Sequence, residues 1–193
     1  STSIGRPQRG RLRSSEQLRS GPGYRVRTPS RAYGTNEAVE FINRVFGRVH
    51  QRYPEAPTLA IGDLSYRRGG RMRPHISHQS GRDADIAYYT VGRESDDGFV
   101  VATPENLDVP LTWYLLKSFI DTEAVQYVFV DYELQAVLYE YVERRGATRE
   151  ELERWFQYPR ENTTAGLLRH SRGHDDHFHI RFRCPRSDER CRD

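Results

Sequence analysis

The sequence predicts an α+β domain in which a small central antiparallel β-sheet is flanked by helices. Three observations carry that expectation. Apolar residues recur at helical spacing through "GTNEAVEFINRVFGRVHQRY", where Val39, Ile42, Val45, Phe46, Val49 and Tyr53 fall on one stripe. Two other runs, "DADIAYYT" and "FHIRFR", alternate instead with the period of two that marks a strand. The chain of 193 residues, 36% of them hydrophobic, suits one domain with a single core, and neither an internal repeat nor an internal linker divides it.

Taken in order, residues 1–22 read as a basic arm leading into a domain over 23–193. The first nineteen residues carry five arginines and one acid among Gly, Ser and Pro, the composition of a surface-draped or partly disordered lead-in. The first helix follows, with Thr35 or Asn36 as N-cap and His50 as a surface residue of the helix. "PTLAIGDLSY" is a short strand running into a loop, and "RRGGRMRPH" a Gly/Pro-rich connection. In "DADIAYYT", Asp83, Asp85 and Ala87 share one face, with Ala84, Ile86 and Tyr88 on the other. "PLTWYLLKSFIDT" is a short amphipathic helix, "AVQYVFV" a buried strand, and "YELQAVLYEYVERRG" a helix closed by Gly146. In "TREELERWF", Thr148 and Glu151 stand in capping-box register. The last strand, "FHIRFR", turns Phe178, Ile180 and Phe182 inward and His177, His179 and Arg181 outward.

Composition excludes several classes of function. No apolar run approaches the ~20 residues that a membrane-spanning helix requires. Of the 30 basic residues only Lys117 is lysine, but 27 acidic residues offset the arginines and leave a net charge of +3. Nucleic-acid binding is not expected, because no platform of aromatic and basic residues is present. The polar loop between Cys184 and Cys191 favours a small disulfide-closed loop over a zinc-thiolate site, and with it an oxidising compartment. The expected location is periplasmic or secreted, with a leader removed ahead of Ser1.

The chemistry concentrates in two runs. "HISHQSGRDAD" and "GHDDHFHIRF" hold five of the seven histidines, about a hundred residues apart. Ionisable faces on two strands, each backed by an apolar face, suggest a shared cleft. Imidazole and carboxylate donors suit zinc, and a catalytic zinc takes three protein ligands with one position open to water. His78, Asp85 and His179 would supply such a set. Spacing alone leaves open whether Asp83 or Asp85 binds, and which of His177 and His179 does. The helical H-E-x-x-H motif is absent, and no G-x-S-x-G elbow or catalytic cysteine context points to covalent catalysis.

These two runs resemble the penicillin-insensitive murein endopeptidases, within the lysostaphin, D-Ala-D-Ala carboxypeptidase and hedgehog-like metallopeptidases. The shared signature is H-x6-D followed by a distant H-x-H, matched by His78 to Asp85 and His177 to His179. The flanks agree: "SGPGYRVRTPSRAYGT", "GDLSYRRGGRM" and "RFRCP" with its following cysteine, so that residues 20 to 191 are covered. The resemblance implies the metallopeptidase fold of that group, one Zn²⁺ per chain held by His78, Asp85 and His179, and His177 as general base or transition-state stabiliser. His75 and His174 coincide with histidines of the endopeptidase branch, close behind the ligands or facing substrate. Gln79 and Asp83 are candidates for fixing imidazole orientation. Arg82, where the family has an aliphatic residue, is expected to alter the charge of the cleft. The activity implied is zinc-dependent hydrolysis of peptide cross-links in peptidoglycan, such as D-alanyl–meso-diaminopimelyl bonds, unaffected by penicillin because no acyl-serine forms. A D,D-carboxypeptidase or dipeptidase of the same superfamily is an alternative. A non-catalytic, zinc-containing cell-wall-binding module is another, against which the intact His177 argues.

Overall fold

A computed structural model describes residues 1–92 and 98–193 of the chain. Its centre is a six-stranded sheet in the order β4 (Tyr24–Val26), β6 (Leu59–Ile61), β7 (Asp83–Ala87), β10 (His177–Phe182), β8 (Val125–Phe129), β9 (Leu168–Arg169). The four inner strands pair antiparallel, as expected, whereas the outer strands β4 and β9 run parallel to their neighbours. Those two edge strands hold three and two residues, too few to show a period of two.

β10 organises the sheet because its faces separate cleanly. Phe178, Ile180 and Phe182 are at most 2% exposed and lie on the apolar side beside Ala84 and Ile86 of β7. They meet helices α1 (Asn36–Arg52) and α2 (Val109–Ile120). The Phe119 ring of α2 stands 6.5 Å and 6.2 Å from those of Phe178 and Phe182, and Phe41 of α1 stacks on Phe182 at 5.6 Å. Burying each such side chain contributes about 1.5–3 kcal/mol, so one strand face and two helices supply much of the core.

The helix ends follow from their caps. Thr35 Oγ1 accepts from Ala38 N at 3.1 Å, so Thr35, not Asn36, is the N-cap of α1. Asp108 caps α2 through Leu111 N, and Pro110 sits in its first turn. Helix α3 (Tyr132–Arg144) closes through Gly146, whose φ of 88° is one that a side chain would resist. Helix α4 (Arg149–Trp155) begins with the expected capping box: Thr148 and Glu151 each satisfy the other's backbone N–H.

The first residues, expected as a loose arm, carry regular structure. β1 (Thr2–Arg6) and β2 (Arg9–Arg13) form a hairpin, and β3 (Glu16–Gln17) pairs with β5 (Tyr33–Gly34). Leu12 and Leu18 are buried. Gly5 N donates to Arg190 O, Arg192 N to Gly5 O, and Ser3 N to the Asp188 carboxylate. The hairpin is thereby tied to the loop that the Cys184–Cys191 disulfide closes.

Candidate metal centre and active site

The polar face of the sheet is built by cross-strand register. His179 of β10 lies opposite Asp85 of β7 on one side and Phe129 of β8 on the other; one step along, Arg181 lies opposite Asp83 and Tyr127. His78 comes from the loop before β7 and takes the left-handed conformation, with φ of 64°. Such a backbone costs on the order of 1–3 kcal/mol for a non-glycine residue and persists where neighbours over-determine it. Here His78 N donates to Asp83 Oδ2 at 2.9 Å, and His78 Nδ1 donates to the Leu64 carbonyl, also at 2.9 Å.

Three donor atoms converge as a result. His78 Nε2, Asp85 Oδ1 and His179 Nδ1 form a triangle with edges of 3.2, 3.0 and 3.2 Å. Ligand atoms around a tetrahedral zinc, bonded at about 2.0–2.1 Å, stand about 3.3–3.4 Å apart. The opposite nitrogens of both rings are engaged: His78 Nδ1 by Leu64, and His179 Nε2 by Asp83 Oδ1 at 3.1 Å. This assignment turns a lone pair of each imidazole toward the triangle, and the carboxylate behind His179 is the arrangement that orients a metal-binding histidine. The donor set therefore fits zinc.

The electrostatics follow from the crowding. Burial opposes ionisation of Asp85, but His78 and His179 outweigh it and hold its carboxyl well below the usual range. Asp83, equally buried, is held below its ordinary value by the Arg181 guanidinium, whose Nε donates to Asp83 Oδ1 at 2.6 Å, and by His179. Burial alone would lower His179; its hydrogen bonds to Asp83 and Asp85 prevail and lift it to about 9. With both ring nitrogens protonated, His179 Nδ1 donates to Asp85 and Nε2 to Asp83, and the Nδ1 lone pair becomes free for a metal only when its proton leaves.

His177 stands beside the triangle, with Nε2 3.7 Å from Asp85 Oδ1. Its Nδ1 donates to Asp176 Oδ1 at 2.5 Å, so Nε2 carries the lone pair of the neutral ring. Phe99 stacks on the imidazole at 4.7 Å and 12°, and Arg27 covers the Phe99 ring at 4.7 Å. Room for Phe99 exists because residue 62 is glycine: a Cβ there would lie 2.7 Å from Phe99 Cζ. His174 packs 5.1 Å from His177, with Nδ1 donating to Ser171 O. Burial, then the neighbouring His177 and His179, push it down to about 4, so it is neutral at pH 7. His75 joins from the other side. Its Nε2 pairs with Asp63 Oδ2 at 2.7 Å, its Nδ1 lies 3.7 Å from Asp85 Oδ2, and its ring is 4.3 Å from that of His78. His75, His78 and Asp85 make a second, looser donor group, with ligand atoms within 4.8 Å of one another. The His78–Asp85–His179 triangle is the tighter of the two overlapping sets.

Two expectations are corrected. Arg82 does not face the cleft: it is fully buried on the opposite side of β7, where it donates to Phe182 O, Arg192 O and the Asp193 carboxylate. It fastens the C-terminal residues. The Gln79 side chain donates to Ile76 O and not to an imidazole, and its backbone holds Pro7 O and Gly70 N. Asp83, in contrast, lies 3.1 Å from the His179 ring through Oδ1. Sequence reasoning missed Asp176, although it directly precedes His177, and Arg181, the next outward residue of the strand. Asp63, Phe99 and the Leu64 carbonyl gave no local signal.

Residues 3–193 match the family model described as penicillin-insensitive murein endopeptidase. The chain is 30% identical to a penicillin-insensitive murein endopeptidase of Klebsiella pneumoniae subsp. pneumoniae, over 99% of this chain and 69% of that protein. Proteins of the same description from Salmonella arizonae and Yersinia pestis are 29% and 26% identical, over 87% and 84% of this chain and 60% and 58% of theirs. With residues 3–193 covered by that family model and nearly the whole chain aligned to a relative 30% identical, the chain belongs to the penicillin-insensitive murein endopeptidase family.

Proposed function

We propose that the chain is a zinc-dependent peptidoglycan endopeptidase that hydrolyses peptide cross-links of the D-alanyl–meso-diaminopimelyl type. The observation that carries this reading is the triangle of His78 Nε2, Asp85 Oδ1 and His179 Nδ1, with the His177–Asp176 pair at its edge. His78, Asp85 and His179 would hold the ion, and Asp83 and Leu64 O would orient their rings. Zinc in such a site supplies Lewis acidity, lowering the pKa of water toward about 7 and polarising a carbonyl.

The remaining steps fall to the chain. His177 Nε2, with its lone pair held toward the triangle by the Asp176 hydrogen bond, accepts a proton from the attacking water. As the carbonyl carbon–nitrogen bond breaks, the imidazolium returns that proton to the departing amine, and the products are one carboxylate and one amine. Asp176 stabilises the transient imidazolium, and Phe99 keeps the ring from rotating. His174, neutral and half-buried, adds no charge that would repel that imidazolium. No acyl-serine forms, so penicillin has nothing to acylate. The closed Cys184–Cys191 disulfide supports a periplasmic or secreted location.

The test is digestion of purified sacculi followed by mass spectrometry of the muropeptides, with and without chelator. Cross-linked dimers should fall to monomers, stop falling when metal is removed, and fall again when zinc is restored. Release of terminal D-alanine with the dimers intact would make the chain a carboxypeptidase instead; chelator-resistant cleavage would remove the metal from the reaction.

A further inference from the structure

The net charge of +3 conceals a division of the molecule. Residues 1–73 carry 15 arginines and 5 acids, a net +10, whereas residues 74–193 carry 15 basic and 22 acidic residues, a net −7. The hairpin concentrates the positive half. Along β2, Arg9, Arg11 and Arg13 are exposed while Leu12 between them is buried, and Arg6 pairs across the hairpin with Arg9. Arg67 and Arg68, both exposed, lie alongside, because Leu12 N donates to Arg68 O and Gly69 bridges to Arg11. Together Arg11, Arg13, Ser14, Ser15, Arg67 and Arg68 line a hollow of about 590 Å³.

A second hollow, of about 410 Å³, is lined by Gln8, Arg71, Arg73, His75, Ile76 and Gln79. His75 belongs equally to the candidate metal centre, so the basic surface and the active site share a wall. Among the described residues, none of the eight guanidiniums of Arg6, Arg9, Arg11, Arg13, Arg67, Arg68, Arg71 and Arg73 pairs with a carboxylate. Like charges gathered without partners repel one another, and they create a surface potential that favours an anionic polymer.

We infer that this arginine surface is an electrostatic docking face for the carboxylates of peptidoglycan stem peptides, holding the polymer while an adjacent cross-link lies at the metal centre. The inference rests on the endopeptidase reading for the identity of the polymer. Stem peptides supply free carboxylates at repeated intervals, and the face extends outward from the cleft, where neighbouring stems of the same strand would lie. A single exposed contact is weak and screened by salt, but several acting on one polymer add up.

The experiment compares the unaltered chain with an Arg9→Gln, Arg11→Gln, Arg13→Gln variant, none of whose substituted residues lies in the catalytic machinery. Each protein is co-sedimented with purified sacculi from low to high salt, with chelator present so that the polymer stays intact. Both are also assayed, zinc-loaded, on a soluble cross-linked muropeptide dimer. The unaltered chain should sediment at low salt and be released by high salt or by amidating the sacculus carboxylates with carbodiimide. The variant should bind sacculi about tenfold more weakly, yet cleave the soluble dimer at the unaltered rate. Equal sedimentation of the two proteins would overturn the inference, as would binding indifferent to amidation. So would arginine-dependent binding to phosphatidylglycerol–phosphatidylethanolamine vesicles while sacculus binding ignores the arginines. Should neither protein cleave the soluble dimer, the endopeptidase reading fails, and the sedimentation result still decides the docking face.

Discussion

Asp83 and Asp85 leave the same face of β7 two residues apart, yet they meet different atoms. Asp85 Oδ1 is a corner of the donor triangle, whereas Asp83 lies behind it, against His179 Nε2, Arg181 and the His78 backbone. Asp85→Ala should therefore lose the metal. Asp83→Asn should still load zinc when the ion is plentiful, with affinity about 10–100-fold lower, the usual cost of removing a group that orients a ligand. Metal titration of both variants checks this, and the reverse order would contradict it. His179 gives a second prediction at this scale. Its pKa in the metal-free chain is raised from 6.5 to about 9, so the stabilisation from its carboxylate contacts is fully present below pH 6.5 and lost as pH rises through 9. Near pH 7.5 the ring is protonated, and zinc must displace that proton. Calorimetry in buffers of different ionisation enthalpy should show about one proton released per zinc; no buffer dependence would contradict the assignment.

At the scale of elements, the strand–helix sandwich and the loops around it carry different burdens. The loop holding Gly62 lets Phe99 lie against His177, so Gly62→Ala should push the ring away without disturbing the core. Cleavage should fall about tenfold or more, with zinc content and melting temperature near those of the unaltered chain, because misplacing a catalytic group costs rate and not stability. An unchanged rate would show that the stack does not position His177. The disulfide loop belongs to the stability side. Closing so short a loop contributes roughly 2–3 kcal/mol on the chain-entropy model, so reduction should loosen the C-terminal residues and the hairpin bonded to them while leaving the sheet folded. Hydrogen exchange on the reduced protein should show new opening at Gly5 and Cys191 but not at Ile180.

Across the whole molecule, what was legible followed the length and regularity of each element. α1 and β10 were readable because six apolar positions at helical spacing, or six residues alternating strictly, leave one solution. The hairpin was not, because its strands bury only Ser3 and Leu12 and, apart from the half-buried Ile4, otherwise consist of arginine, glycine and threonine. It is held by backbone bonds to Arg68 and Arg190, far off in sequence. In the site, the two histidine motifs were visible because they lie on strands or just before one. Asp63 and Leu64 arrive from one loop and Phe99 from another, and no local pattern announces them. Arg82 shows the hazard of reading a motif linearly: it adjoins Asp83, but the period of two sends it to the opposite face. The central claim is that one histidine of "HFH" belongs to the metal and the other to the proton. It is tested most directly by measuring zinc content and cleavage of a cross-linked muropeptide dimer in His177→Ala and His179→Ala. His177→Ala should keep about one zinc per chain and lose about 10²–10⁴-fold in rate, whereas His179→Ala should lose both zinc and activity. Zinc lost from the first variant and kept by the second, or wild-type cleavage by either, would contradict the account.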